Sequence, residues 1–411
     1  MLKKHRARSQ SLSRPTTLAD HPCRTLSETA LPEAPNTATD TDSPVTPVVQ
    51  FGTSRFLQAH VDLFIDEALA RGRAAGPVTV VQSSGDPARA ARLAALADPA
   101  GYPVRIRGRE NGAEVDRQQM VRSVRRTLST ATDWPQLVRI VCDQARYLIS
   151  NTGDAGYDPR PADAADSFDQ AMSFPAKLQL LLRARHDAGA RPLTVMPAEL
   201  IPANGARLKA RVLELAALAP AAYRDWLRDR VIWANSLVDR IVSEPLHPAG
   251  AVAEPYALWA IEAQPGLVPP CEHPCVQLVD DLERAEALKL FILNLGHSWL
   301  VSRWQATPGA PALVRQFLDD PAVLAELQHL YRAEVLPAFA AAGLGAAAED
   351  YIATTLDRIR NPFLDHRLAD IAENHAEKVR RRVGGLLDWA QKKGDATPRP
   401  RLAALAAAAA G

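Results

Sequence analysis

The chain holds 411 residues, 47% hydrophobic and 23% charged, with 48 Lys plus Arg against 47 Asp plus Glu for a net charge of +1. A composition so close to globular usage excludes disorder as the main state, and at roughly 100–200 residues per domain the length fits two domains. The balanced charge argues against nucleic acid or an anionic membrane as partner, no apolar run reaches the roughly 18 residues of a membrane span, and four scattered cysteines suit a reducing, cytoplasmic home.

Residues 1–43 are rich in Thr, Ser, Pro and Asp without hydrophobic periodicity, and are expected to form a disordered leader. Order begins with the β-branched run Val48-Val49-Gln50-Phe51, which ends in Gly52. Helical spacing follows in Phe56, Leu57, Val61, Phe64, Ile65, Ala68 and Leu69, stopped by Gly72. Val78-Thr79-Val80-Val81-Gln82 is again a strand, so the segment reads as a βαβ unit of a parallel sheet. Arg146 to Ser150 and Leu193 to Met196 continue the strands, and residues 174–189 and 204–218 continue the helices. From about residue 246 strand signals fade and helical patterns run to residue 392, ahead of an alanine-rich end. The expected organisation is a Rossmann-type α/β domain over 44–245, a mostly helical domain over 246–395, and a disordered tail over 396–411.

Three clusters carry possible chemistry. The first is the turn Phe51-Gly52-Thr53-Ser54-Arg55-Phe56, where a dinucleotide's pyrophosphate would need small residues and close backbone approach. Only Gly52 is glycine there, and Ser54 stands where a second glycine is usual. The second strand ends in Gln82-Ser83-Ser84, with no acid placed to receive a ribose hydroxyl. The second cluster is Glu286, Lys289, Asn294 and His297. On a wheel of 100° per residue with Lys289 at zero, the others fall near about 60°, about 140° and about 80° respectively. A lysine among apolar neighbours can serve as a base near neutral pH, an asparagine amide can hold an alkoxide, and a histidine can orient it. The alternative is a solvated Lys–Glu pair beside a core histidine. The third, Cys271-Glu272-His273-Pro274-Cys275, lacks a second pair of ligands at finger-like spacing, so no metal is expected.

The blocks VVQFGTSRFLQAHVDLFIDEAL, YLISNTGDAGY, FPAKLQLLL, PAELIPANGARLK, NSLVDRIV, VQLVDDLERAEALKLFILNLGHSWL and RIRNPFLDH stand in one order between residues 48 and 390. In this pattern the chain resembles the mannitol dehydrogenase family of long-chain polyol and sugar-acid dehydrogenases, most closely its tagaturonate reductase (altronate oxidoreductase) branch. The resemblance implies a metal-independent enzyme that uses NAD. It implies Lys289 as base, Asn294 as oxyanion donor, His297 as substrate-holding group and Glu286 as proton relay. It places Asn151 and Thr152, with the 51–56 turn, against the cofactor, and Asn204, Asp239, Arg358 and Asn361 around the substrate. The chain departs from the family pattern at Ser54, at Leu200 where some members carry Asn, and in a shorter 245–275 region.

The function expected from these readings interconverts a secondary alcohol and a ketone on an open-chain sugar acid of the tagaturonate/altronate or fructuronate/mannonate type. Two alternatives stay open: a polyol dehydrogenase acting on mannitol or arabinitol, and a non-catalytic NAD-binding sensor. The partner in any of these is a small molecule, and a monomer is compatible with all three.

Overall fold

The computed structural model describes residues 44–409, so the leader expected over 1–43 lies outside the described residues. Thirteen strands are present among them: β1 Val48–Phe51, β2 Val78–Gln82, β3 Tyr102–Glu110, β4 Ala113–Val121, β5 Val124–Ser129, β6 Tyr147–Ser150, β7 Leu193–Pro197, β8 Val231–Trp233, β9 Ser236–Asp239, β10 Val242–Pro245, β11 Ala251–Ala253, β12 Leu258–Glu262 and β13 Val276–Val279. Six of them form a wholly parallel sheet in the order β5-β2-β1-β6-β7-β8. β1, β2, β6 and β7 are buried along their whole length, as apolar strands covered on both faces by helices must be. Strand order reverses between β1 and β6, and in open α/β sheets the crevice outside such a reversal takes the ligand.

Two smaller sheets extend this domain. β10-β11-β3-β4 is built on a long hairpin whose Asn111-Gly112 turn has positive φ at both residues, 53° and 77°. β13-β12-β9 carries the chain toward the helical domain. Strands β11, β12 and β13 lie beyond the boundary expected at residue 245. Trp259, Ile261 and Cys271 pack into the same core as Val48, Val61 and Val78. Runs of three to five residues are too short to show a period of two, which is why the sequence pattern faded there.

From Leu282 the chain is helical and gathers around its own core of Ile292, Leu300, Leu327, Phe339 and Leu386. Three π-helical stretches interrupt its long helices, at Lys289–Asn294, Tyr331–Val335 and Arg380–Gly384. The end of the chain departs from the disordered tail expected over 396–411. Pro400–Ala408 is a helix, Leu402 is fully buried in the helical core, and the Arg401 and Leu402 amides donate to the buried Glu334 carboxylate. A proline at the first helical position starts that helix, and alanine carries it.

Candidate active site and cofactor cleft

Gly52 follows β1 at the sheet's reversal with φ +126°, a conformation side chains rarely adopt. A Cβ there would stand 2.8 Å from the Asn151 carbonyl, so this glycine is what lets the β1 and β6 ends approach each other. Ser54 has a use that a second glycine could not supply. Its hydroxyl accepts from the Leu57 amide, capping the helix Arg55–Gln58, and donates to Asn151 Oδ1 at 3.2 Å. Gly52, Thr53, Ser54, Asn151 and Thr152 line one end of an open cleft of about 350 Å³, a size ordinary for ligand pockets. Thr152 is in turn held by buried Glu199, which accepts from its amide at 2.9 Å and also from Ser150 and Tyr157.

The remaining turn residues do not line this cleft. Phe51 is fully buried with its ring 5.2 Å from Phe174, Phe56 stacks on His60 at 4.6 Å, and Arg55 faces an adjoining crevice toward residues 245–250, with Arg92 on the wall between the two. Of the six turn residues expected at the cofactor, Gly52, Thr53 and Ser54 border this cleft.

The lysine cluster is organised by the π stretch. Its i→i+5 bonding brings Lys289 and Asn294 nearer to one face than an α-helical wheel allows. The carbonyls loosened there are taken up by neighbours. Tyr331 donates to the Ile292 carbonyl at 3.0 Å, and Arg382 donates to the Asn294 carbonyl at 3.1 Å and the Ser298 hydroxyl at 3.0 Å. Lys289 Nζ reaches β9, donating to the Val238 carbonyl at 3.0 Å and lying 3.5 Å from the Asp239 carboxylate. The Asn294 amide makes no hydrogen bond to the described residues, and His297 Nε2 is buried without a partner. Burial, then neighbouring His366, pushes the His297 pKa well down, so its ring is neutral. Two polar groups thus stand unpaired on the helix of a lysine anchored to the first domain.

Glu286 is half-buried on the same helix, and burial together with Asp281 and Glu283 raises its pKa, which suits a group that exchanges protons. The carboxylate paired with Lys289, however, is Asp239. Asp239 is held near pKa 2 against its burial, chiefly by Arg358 and then by Lys289.

Three residues expected at the substrate are instead engaged within the protein. Arg358 is 3% exposed, with its guanidinium 2.9 Å from Asp239, 2.8 Å from Glu254 and stacked over Tyr256. Asn204 is fully buried and ties the end of β7 to β9 through the Pro197, Glu199 and Ser236 backbones. Asn361 donates to the Arg107 carbonyl and accepts from the Phe363 amide. Arg358 and Asn204 have their donors spent within the protein, and Asn361 keeps one amide hydrogen free of a partner among the described residues. Sequence reasoning missed Glu199 and Glu254, lone charges in loops, and the cleft arginines Arg89 and Arg92 on the short helical turns after β2, none of which gives a periodic signal. His273, the centre of the cysteine block, bonds Glu67 at 2.8 Å and the Cys275 amide at 3.1 Å, so both ring nitrogens are used.

A parallel sheet with a glycine-opened cleft at its reversal, joined to a helical domain that offers a lysine, defines a two-domain dehydrogenase. The chain belongs to the mannitol dehydrogenase family: residues 46–268 match that family's Rossmann domain and residues 281–410 its C-terminal domain. Altronate oxidoreductase from Klebsiella pneumoniae strain 342 is 31% identical over 390 residues, covering 86% of this chain and 77% of the relative. That from Bacillus subtilis strain 168 is 28% identical over 380 residues, covering 84% and 76%. Two solved structures share the fold: substrate-free D-sorbitol dehydrogenase (TM-score 0.73, 21% identity, covering 87% and 78%) and the Pseudomonas fluorescens mannitol 2-dehydrogenase complex with NAD and D-mannitol (0.66, 19%, 90% and 79%).

Proposed function

We propose that the protein is a lysine-dependent, metal-independent oxidoreductase that uses NAD and interconverts a hydroxyl and a ketone on an open-chain sugar acid of the altronate/tagaturonate type. The observation that carries this reading is Lys289, fixed to Val238 and Asp239 across the domain boundary, with the unpaired Asn294 amide and His297 Nε2 on the same helix. When bound, the nicotinamide supplies or receives the hydride. Gly52, Thr53 and Ser54 admit the dinucleotide, and Asn151 and Thr152 border it. In reduction Lys289 gives a proton to the forming alkoxide, Asn294 donates to that oxygen and neutral His297 fixes its direction. Oxidation runs the same steps backward. Asp239 keeps the lysine placed, and Glu286 is the half-buried carboxyl through which a proton passes to solvent.

A sugar acid also brings a carboxylate, which calls for a cation. Arg358 is consumed by Asp239 and Glu254, Arg303 pairs with Glu326, and Lys209 donates to the Arg228 carbonyl. Arg382, beside Asn294 and Ser298, uses one terminal nitrogen there and keeps Nε and Nη2 for a ligand. The altronate oxidoreductases among the relatives support the acid over a neutral polyol.

The test is dinucleotide oxidation against tagaturonate, fructuronate, fructose and xylulose, on wild type and Lys289→Ala. Turnover on a uronate with a loss of about 10²–10⁴-fold in kcat for the variant is the expected result. Turnover on neutral ketoses alone would move the protein to polyol oxidation, and near-wild-type kcat in the variant would remove Lys289 from the mechanism.

A further inference from the structure

The cleft continues past Gly52 and Asn151 to the end of β2, and that outer end carries positive charge. Gln82, Ser83, Ser84, Arg89 and Arg92 line it, and no carboxylate does. A ribose 2′-hydroxyl is ordinarily received by an acid at this position, whereas a 2′-phosphate needs hydroxyls and an arginine. The nearest acid, Asp86, is turned away from such a role. Its carboxylate accepts from the Ala88 amide at 3.0 Å and lies 3.5 Å from Arg89. Gln82 is fixed inward on the Ser84 hydroxyl and the Asp86 carbonyl, which shapes the loop and presents Ser83 and Ser84 to the cleft. Arg92 is half-buried and forms no hydrogen bond or ion pair with the described residues. A guanidinium left without a protein partner at a cleft wall is free to take a dianion by charge-assisted, bidentate hydrogen bonds.

We infer that the outer end of the cleft is a subsite for the 2′-phosphate of NADP(H), formed by Arg92 and Arg89 with the Ser83 and Ser84 hydroxyls. The enzyme takes NAD(H) in the same cleft, and the phosphorylated dinucleotide binds more tightly. The inference rests on the reading of this cleft as the dinucleotide site.

Isothermal titration of the full chain with NADH and NADPH, without sugar substrate, tests it independently of turnover. The expected result is a Kd for NADPH at least about tenfold below that for NADH at low salt, with the gap shrinking as ionic strength rises. In Arg92→Ala the ratio of the two constants falls toward one. In Arg89→Ala it falls less, because Asp86 already occupies that side chain. Competition by 2′-AMP against 5′-AMP gives the same comparison on wild type alone, should the arginine variant fail to fold. Equal or tighter binding of NADH overturns the subsite and leaves the cleft assignment standing. Binding of neither dinucleotide overturns the cleft assignment itself.

Discussion

Asp62 lies fully buried under the first sheet, where it accepts from the Tyr102 hydroxyl at 2.8 Å. Burial raises its carboxyl pKa to about 7, with the Tyr102 and Gln50 hydrogen bonds opposing. Its other oxygen and the Gln50 side-chain oxygen both lack hydrogen-bond partners. Because the folded pKa lies above the unfolded value, the protonated form is the one folding favours. Stability from this site is complete below about pH 4, is lost as pH rises toward 7, and stays lost above it. Asp62→Asn still offers an oxygen to the Tyr102 hydroxyl and carries no charge. The variant is therefore expected to melt higher than wild type at pH 8, by the equivalent of about 2–4 kcal/mol, and with no advantage at pH 4. Parallel melting curves at the two pH values that do not diverge would refute this.

Single residues were also where reading from sequence was both sharpest and most misled. Lys289, Asn294 and His297 stand out in the sequence because they are polar groups at helical spacing amid Leu, Ile and Phe, and the structure leaves the Asn294 amide and His297 Nε2 without partners among the described residues. Asn204, Arg358 and Asn361 have the same chemistry but are engaged by backbone and carboxylate partners distant in the chain. Spacing along a sequence carries no information about whether a donor is already taken.

At the scale of elements, the π stretch at Lys289–Asn294 is held by neighbouring helices. Gly296 sits one turn on, where an added Cβ would run into the Tyr331 hydroxyl that bonds the Ile292 carbonyl. Gly296→Ala is expected to push Tyr331 off that carbonyl, tighten the π turn and rotate Asn294 away from Lys289. The loss should appear as a fall of about 10–100-fold in kcat while the dinucleotide Kd barely moves. Unchanged kcat would mean the π turn does not set the catalytic geometry. Sequence patterns supplied the helix but not its register shift, since the i→i+5 turn arises from packing against two other helices. The β3–β4 hairpin, by contrast, had a readable signal. Val104 and Ile106 alternate with Arg105 and Arg107, and Asn-Gly follows.

Across the whole molecule, the two domains meet at a buried charge cluster. Arg358, on the helix Gly345–Ile359, inserts between Asp239 and Glu254 of the first domain, and Tyr351 donates to Asp239 from the same helix. Removing the arginine strands two carboxylates without water, which costs about 3–5 kcal/mol. Arg358→Ala should therefore show a large drop in melting temperature at pH 7. That drop should narrow as acid neutralises the carboxylates, a dependence that lost packing alone would not produce. The alternation of strand and helix made the four central strands of the parallel sheet legible, from residue 48 to 196, but not its edge strands β5 and β8. The seam between domains was not, because its partners are more than a hundred residues apart and their strands are only three to five long.

Lys289 takes its bearings from this seam. It grows from a helix of the second domain, yet the atoms that fix its ammonium, the Val238 carbonyl and the Asp239 carboxylate, belong to the first. Asp239 is itself steadied by Arg358, and β9 is latched to the cleft end of β7 through Asn204. Lys289 is thus positioned from the same side of the molecule as the cleft. Were the domains to part, even slightly, the lysine would swing free of its reference points before any ligand left. In the mechanism proposed above, proton transfer by Lys289 then depends on the two domains staying docked.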